Sequence, residues 1–359
     1  MANEGSRIES VAVIRLSSIG DIVLTEPVLA ALSQSFPEAE IGFVVKRQFR
    51  DLVASHPALT GVHVLEDSAG SSLLRLAREL RSTGYRAAVD LHRNLRTAFL
   101  IRASRIPMST AYRKRELWDS LSVRLLRRPF RASGLLVERY LEALRSLGVP
   151  EASFRGPDGA LRRPRLYLSE EDRAGAEEVL RRVGPSDGPY AVIVPGAKWA
   201  TKRWPWERFA EVASGLVSRF GLGVLLLGAR SETGLCDAVR RSAGAGVSSA
   251  AGLATLGETG GLISGARLFV GNDSGPTHMA MALGVPSVAL FGPTDPGQFD
   301  HSGHELVYRD LECSACSFYG GRECPRGHWD CMMTVGAAKV LSASERLLER
   351  EPENGASGS

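Results

Sequence analysis

The 359 residues are 44% hydrophobic and 23% charged, the composition of a soluble globular chain with enough material for two domains of ordinary size. No apolar run approaches the roughly 18 residues that span a bilayer. The start, MANEGSRIES, lacks the charged end and apolar run of a signal peptide, so a cytoplasmic location is expected. The net charge of +4 is modest but uneven: between Arg86 and Arg131 twelve Lys/Arg stand against three acids. Such a segment fits an anionic partner, or the solvated helix faces of an arginine-rich chain.

Short apolar, β-branched runs alternate with helical patterns along most of the sequence. Strands are expected at Val11–Leu16, Ile41–Val45, Val62–Leu65 and Ala87–Leu91, with helices near Glu26–Phe36, Leu73–Thr83, Asn94–Ala103 and Leu135–Leu147. A second series follows. Its strands are Tyr190–Val194, Val224–Leu227, Leu268–Gly271 and Ser287–Phe291, and its helices are Trp206–Phe220, Glu232–Ser242, Leu256–Ser264 and Pro276–Leu283. Near-continuous apolar strands between helices predict parallel sheets covered on both faces, hence two doubly wound, Rossmann-like α/β domains. Between them, 149–165 (VPEASFRGPDGALRRPR) holds three prolines and two glycines and suits a linker. The expected domains are therefore 10–160 and 166–335, with a final helix over 336–350 and loose termini at 1–9 and 351–359.

Ligands of such sheets bind at the carboxyl ends of the strands, so the loops there carry the functional reading. After the first strand comes Ser17-Ser18-Ile19-Gly20-Asp21, matching neither a dinucleotide loop nor a phosphate loop. It offers one carboxylate, Asp21, as a ligand-facing acid or as a helix cap. After the strand at 190–194 comes PGAKWATKRWP, three cations and the Thr201 hydroxyl ahead of a helix start, an arrangement suited to a diphosphate or to an exposed turn. The third loop, Gly271-Asn272-Asp273-Ser274-Gly275-Pro276-Thr277-His278, runs into a helix whose first-turn N–H groups would face an anion. Asp273 there suits a sugar hydroxyl or the ordering of the loop. Glu232 sits at another helix start, where an acid is favourable without any ligand.

In this order, LSSIGDIVLTEPVL, DLHRNLRTA at 90–98, KRWP at 202–205 and GNDSGPTHMAMALGVPSVALFGPTDP at 271–296 resemble glycosyltransferase family 9, the lipopolysaccharide core heptosyltransferases. The resemblance covers roughly 10–335. It implies a GT-B architecture, two facing domains with an acceptor site in the first and a nucleotide-sugar site in the second. It implies inverting transfer of heptose from ADP-heptose to a hydroxyl of the lipopolysaccharide inner core. With positive charge supplied by side chains and helix starts and no DxD motif, the step is expected to be metal-independent. By the same resemblance Asp21 is the catalytic base with Ser18 beside it. Lys202, Asp273, Ser274, Gly275 and His278 meet the donor, Glu232 its ribose, and the Thr201 hydroxyl in the same loop is read as donor-binding with them. Ala197 and Lys198 replace the paired hydroxyls frequent before that lysine. Arg93, Arg96, Arg113 and Arg115 then face an anionic acceptor, and the chain associates electrostatically with the inner face of the inner membrane.

Cys313, Cys316, Cys324 and Cys331 have the spacing of a structural zinc site, although reduced thiols or a labile disulfide also fit the cluster in a cytoplasmic chain. No cofactor is expected for catalysis. The rival readings are a GT-B enzyme with another nucleotide sugar and a sugar-nucleotide epimerase. A nucleic-acid partner is not expected, because it leaves the loops at 17–21 and 271–278 unexplained.

Overall fold

The computed structural model describes residues 8–67, 69–113, 129–185 and 188–350. They fall into two compact units. Of the described residues, the first holds 8–113, 133–169 and 298–300, and the second holds 129–132, 170–297 and 301–350.

The first unit runs β1 (Ser10–Ile14), α1 (Ile19–Val23), α2 (Glu26–Ser35), β2 (Glu40–Lys46), β3 (Gly61–Leu65), α3 (Gly70–Thr83), β4 (Ala87–Asp90), α4 (Leu95–Ala103), β5 (Met108–Ala111) and α5 (Leu136–Glu142). All its strands pair in parallel in the order β3-β2-β1-β4-β5. β1 and β4 are buried along their whole length, as central parallel strands must be. The chain winds outward from β1 to β3, then returns to the other side of β1 for β4. The loops after β1 and β4 therefore diverge at the switch point of the sheet, where open α/β folds bind ligands.

The second unit runs α6 (Glu170–Val183), β6 (Tyr190–Val194), α7 (Trp206–Phe220), β7 (Gly223–Leu226), α8 (Thr233–Ala243), β8 (Val247–Ser249), α9 (Leu256–Ser264), β9 (Leu268–Asn272), α10 (Gly275–Ala282), β10 (Ser287–Phe291), β11 (Glu305–Tyr308), α11 (Asp330–Met333) and α12 (Ala337–Glu349). Its strands are also all parallel, in the order β11-β10-β9-β6-β7-β8. Here the switch point lies between β6 and β9. α7 shows why this half folds as it does: Phe209, Val212, Ala213 and Leu216 recur at helical spacing and are buried in the core. Truncating Phe209 there to Ala would cost about 3–5 kcal/mol.

Three short or edge strands, β5, β8 and β11, and the polar helix α6 were not expected from the pattern. α6 buries only Ala176 and Val179. It packs on α9, where a Cβ at Gly261 would fall 2.5 Å from that of Ala176. The stretch 149–165 is more than a tether. Phe154 is buried, Arg162 Nε donates to the Ser153 carbonyl at 2.7 Å, and the Arg165 N–H donates to Glu26 Oε2 at 3.2 Å, so it packs on the first unit. α12 contributes Val340, Ala343 and Leu347 to the core of the second unit. Residues 1–7 and 351–359, expected to be loose, lie outside the described residues.

Candidate active site

At the switch point of the first unit, Arg15 follows β1 and turns its guanidinium inward. Nε donates to the Ser17 carbonyl at 2.8 Å, and Nη1 donates to the Leu91 carbonyl just past β4. Nη2 pairs with Asp21 Oδ1 at 2.8 Å, and the guanidinium carbon lies 5.7 Å from the Tyr140 ring centre. Asp21 Oδ2 accepts from Ser18 Oγ at 2.7 Å and from the Ser18 N–H at 3.1 Å. Asp21 is thus the third residue of α1 and closes a capping box on Ser18, so the capping role open in the sequence is present. Burial alone would raise its carboxyl; the Arg15 guanidinium and the Ser18 bonds outweigh it and hold the pKa below the usual carboxylate value. The side chain keeps 21% of its surface exposed, against 8% for Arg15.

The loop after β4 is organised by buried Asp90. Its Oδ1 accepts from the N–H groups of His92 (2.9 Å) and Arg93 (2.8 Å), and its Oδ2 from Thr97 Oγ1 (2.7 Å). Arg93 adopts φ 49°, a left-handed conformation unusual for a non-glycine residue, and its Nη1 donates to the Tyr112 carbonyl at 2.9 Å. Arg96 and Arg113 are exposed. Arg115, read with them, lies outside the described residues.

At the switch point of the second unit, Asn272 joins the two diverging loops. Its side chain accepts from the Trp204 N–H at 3.1 Å and donates to the Pro195 carbonyl at 2.9 Å. Next to it, Asp273 Oδ2 accepts from Lys202 Nζ and from Thr294 Oγ1, both at 2.5 Å, while Oδ1 lies 3.7 Å from His278 Nε2. Burial would raise this carboxyl, but Lys202 and His278 hold it far below the usual range. Its side chain is only 4% exposed, and through Oδ2 Asp273 orders the loop and holds Lys202. Lys202 keeps 13% exposed. Ser274 is the N-cap of α10 without a side-chain cap bond, and Gly275 and Pro276 open the helix. The first turn thereby brings partial positive charge beside the Lys202–Asp273 pair.

Thr201 is placed differently from the expectation that it meets a ligand. It is buried, its hydroxyl donates to the Gly321 carbonyl at 3.1 Å and accepts from the Gly321 N–H at 2.8 Å, so it is a strut to the cysteine-bearing segment. Glu232 folds back on its own turn, Oε2 accepting from the Ala229 N–H at 2.9 Å. Its carboxylate also lies over Gly196, where a Cβ would fall 2.0 Å from Oε1; glycine is what lets the two loops meet. The Ala197 carbonyl accepts from Arg203 Nε at 2.8 Å, and Lys198 Nζ sits 5.4 Å from the Trp199 ring centre.

The four clustered cysteines are free thiols. Burial first, and then the neighbouring cysteines, push Cys316 up and Cys331 up to about 12. Among the described residues no three His, Cys, Asp or Glu side chains are gathered as a metal shell. The zinc reading of Cys313, Cys316, Cys324 and Cys331 thus has spacing in its favour but no preformed shell. Arg15, Asn272 and Thr294 were not singled out from the sequence.

Each of the two parallel-sheet units carries charged groups at the switch point of its sheet, where open α/β folds bind ligands. The family model of glycosyltransferase family 9 (heptosyltransferase) matches residues 73–323. The chain is 28% identical over 353 residues to lipopolysaccharide heptosyltransferase 3 of Escherichia coli, covering 92% of this chain and 96% of that protein. A glycosyl transferase family 9 structure from Veillonella parvula superposes with TM-score 0.78 at 24% identity, covering 95% and 97% of the two chains. The E. coli ADP-heptose lps heptosyltransferase II superposes with TM-score 0.73 at 23% identity, covering 94% and 98%. The chain belongs to glycosyltransferase family 9. Its fold is GT-B, and it is a glycosyltransferase.

Proposed function

We propose that this enzyme transfers heptose from ADP-heptose to a hydroxyl of the lipopolysaccharide inner core with inversion at the anomeric carbon. The observation that carries the reading is the Lys202–Asp273 pair beside the start of α10, a cation fixed by a buried acid where a diphosphate would gain both charge and helix N–H groups. The descriptions of the relatives, lipopolysaccharide heptosyltransferase and ADP-heptose heptosyltransferase, supply the sugar and the acceptor.

In the first unit the acceptor hydroxyl would meet Asp21, ionised at neutral pH because Arg15 stabilises the anion. The hydroxyl oxygen attacks the anomeric carbon, the bond from that carbon to the diphosphate oxygen breaks, and the hydroxyl proton passes to Asp21. Ser18 Oγ, donating to Oδ2, leaves Oδ1 and its Arg15 partner to orient the carboxylate. In the second unit Lys202, the first turn of α10 and His278 stabilise the departing ADP. Side chains and a helix start thus supply the positive charge, and we assign no divalent metal to the step. Arg93, Arg96 and Arg113 meet the anionic core, and the enzyme works in the cytoplasm at the membrane surface. Among the described residues no helix is long and apolar enough to cross a membrane.

The test is ADP release from ADP-heptose with a deacylated inner-core acceptor in excess EDTA. Asp21→Asn should slow it by about 10²–10⁴-fold, the usual worth of a positioned general base. Full activity in Asp21→Asn removes the base, a requirement for added metal removes the metal-free step, and turnover of UDP-sugars instead of ADP-heptose removes the donor.

A further inference from the structure

α4 presents an apolar face that is exposed among the described residues. Leu95 is 90% exposed and Phe99 46%, one helical turn apart, with exposed Ala98 between them. Large apolar side chains at such exposure on consecutive turns mark an interaction surface more than scattered exposure does. The flanks of this face are cationic. Arg96, Arg102 and Arg105 are exposed, and none has an ion-pair partner among the described residues. The sequence from Leu91 to Arg115 holds seven Lys/Arg and no acid. The preceding acid, Asp90, is buried and spent on the loop that starts the helix.

The two properties together narrow the partner. An apolar protein groove would need Leu95 and Phe99 but not the exposed arginines beside them, and a soluble anion would need the arginines but not the apolar pair. A bilayer bearing anionic headgroups satisfies both, since arginine stems lie along acyl chains while their heads stay among phosphates. We infer that α4 docks the enzyme on an anionic lipid surface, Leu95 and Phe99 entering the headgroup–acyl boundary and Arg102 and Arg105 contacting lipid phosphates. The placement has a consequence for the reaction. α4 begins directly after β4, and the Arg15 guanidinium bonds the Leu91 carbonyl between them, so the bilayer surface would lie beside the loop that carries Asp21. An acceptor anchored in that bilayer would then reach Asp21 without leaving the membrane. The inference deepens the proposed function but is measured without it.

The experiment is co-sedimentation of the full chain with vesicles of phosphatidylcholine containing phosphatidylglycerol and no glycolipid. Binding is expected to anionic vesicles, to weaken with salt, and to be absent from pure phosphatidylcholine. Leu95→Gln with Phe99→Gln should lower partitioning by about tenfold, by withdrawing apolar area from the boundary. The same double variant should release ADP from the soluble deacylated acceptor as fast as the parent chain. Absence of binding to anionic vesicles, or equal partitioning of parent and variant, overturns the inference. So does a variant that keeps its partitioning but loses turnover on the soluble acceptor, because Leu95 and Phe99 would then touch the saccharide. Failure of transfer from ADP-heptose in the parent chain, with vesicle binding intact, would sink the proposed function and leave this surface standing.

Discussion

Each unit sets an ion pair at the switch point of its sheet, but the two pairs are inside out with respect to one another. In the first, the cation Arg15 is 8% exposed and the acid Asp21 is 21% exposed; in the second, the acid Asp273 is 4% exposed and the cation Lys202 13%. In the first pair both partners are held elsewhere too, Arg15 by two carbonyls and Asp21 by the Ser18 hydroxyl and N–H, and in the second Asp273 accepts from Thr294 besides Lys202. One fold thus presents an acid in one half and a cation in the other. Those are the charges that a proton-accepting step and a diphosphate leaving group call for.

The comparison can be broken from either side. The largest effect on stability is expected for Lys202→Met, which leaves the Asp273 carboxylate buried without its main counter-charge, at a cost of about 3–5 kcal/mol by urea unfolding at pH 7. Asp273 has a depressed folded pKa, so in the parent its contribution is present above the ordinary carboxylate value and fades as pH falls. In Lys202→Met the deficit should therefore shrink on acidification. Adding Asp273→Asn should recover most of it at pH 7; a deficit that persists in the double variant denies that Asp273 is the group at fault.

A smaller effect, seen in pH dependence rather than fold, is expected for Arg15→Gln. With the guanidinium gone, burial is no longer outweighed, the Asp21 pKa rises, and the acidic limb of kcat/KM moves to higher pH. Arg15→Lys should move it less. An unmoved limb in both would mean that Asp21 is not the titrating base. Thr201→Val should destabilise by about 1–3 kcal/mol, leaving the Gly321 N–H unsatisfied while the Gly321 carbonyl keeps the backbone N–H of residue 201, with ADP affinity unchanged. Weakened ADP binding at full stability would restore Thr201 to the donor site. The smallest effect is expected for Cys313→Ser and Cys324→Ser, on turnover. A matching loss of bound zinc and of activity would instead give the cluster a structural metal.

Much of this arrangement was legible in the sequence, for a definite reason. Central parallel strands are apolar on both faces, so β1, β4, β6, β9 and β10 stand out as runs, and the loops that follow them can be named before any fold is known. Edge strands lack that signal. β5 (MSTA) and β8 (VSS) are short and polar, and α6 buries two residues of fourteen, too few for a periodic stripe. Partnerships between loops were the least legible. Arg15 sits in an apolar run and looks incidental, because its bond to Leu91 spans 76 residues of sequence. Thr294 reads as turn chemistry until its hydroxyl is seen on Asp273. Spacing identified Lys202 and Asp273 separately and could not show that the two pair with one another.

The most direct measurement is calorimetric titration of ADP into Asp21→Asn and Lys202→Met side by side, with ADP release from ADP-heptose followed on the same preparations. The inverted pairs require that Asp21→Asn bind ADP as the parent does while turnover collapses, and that Lys202→Met lose ADP affinity. If Asp21→Asn loses ADP affinity, or Lys202→Met binds ADP like the parent chain, the division of acid and cation between the two units is wrong.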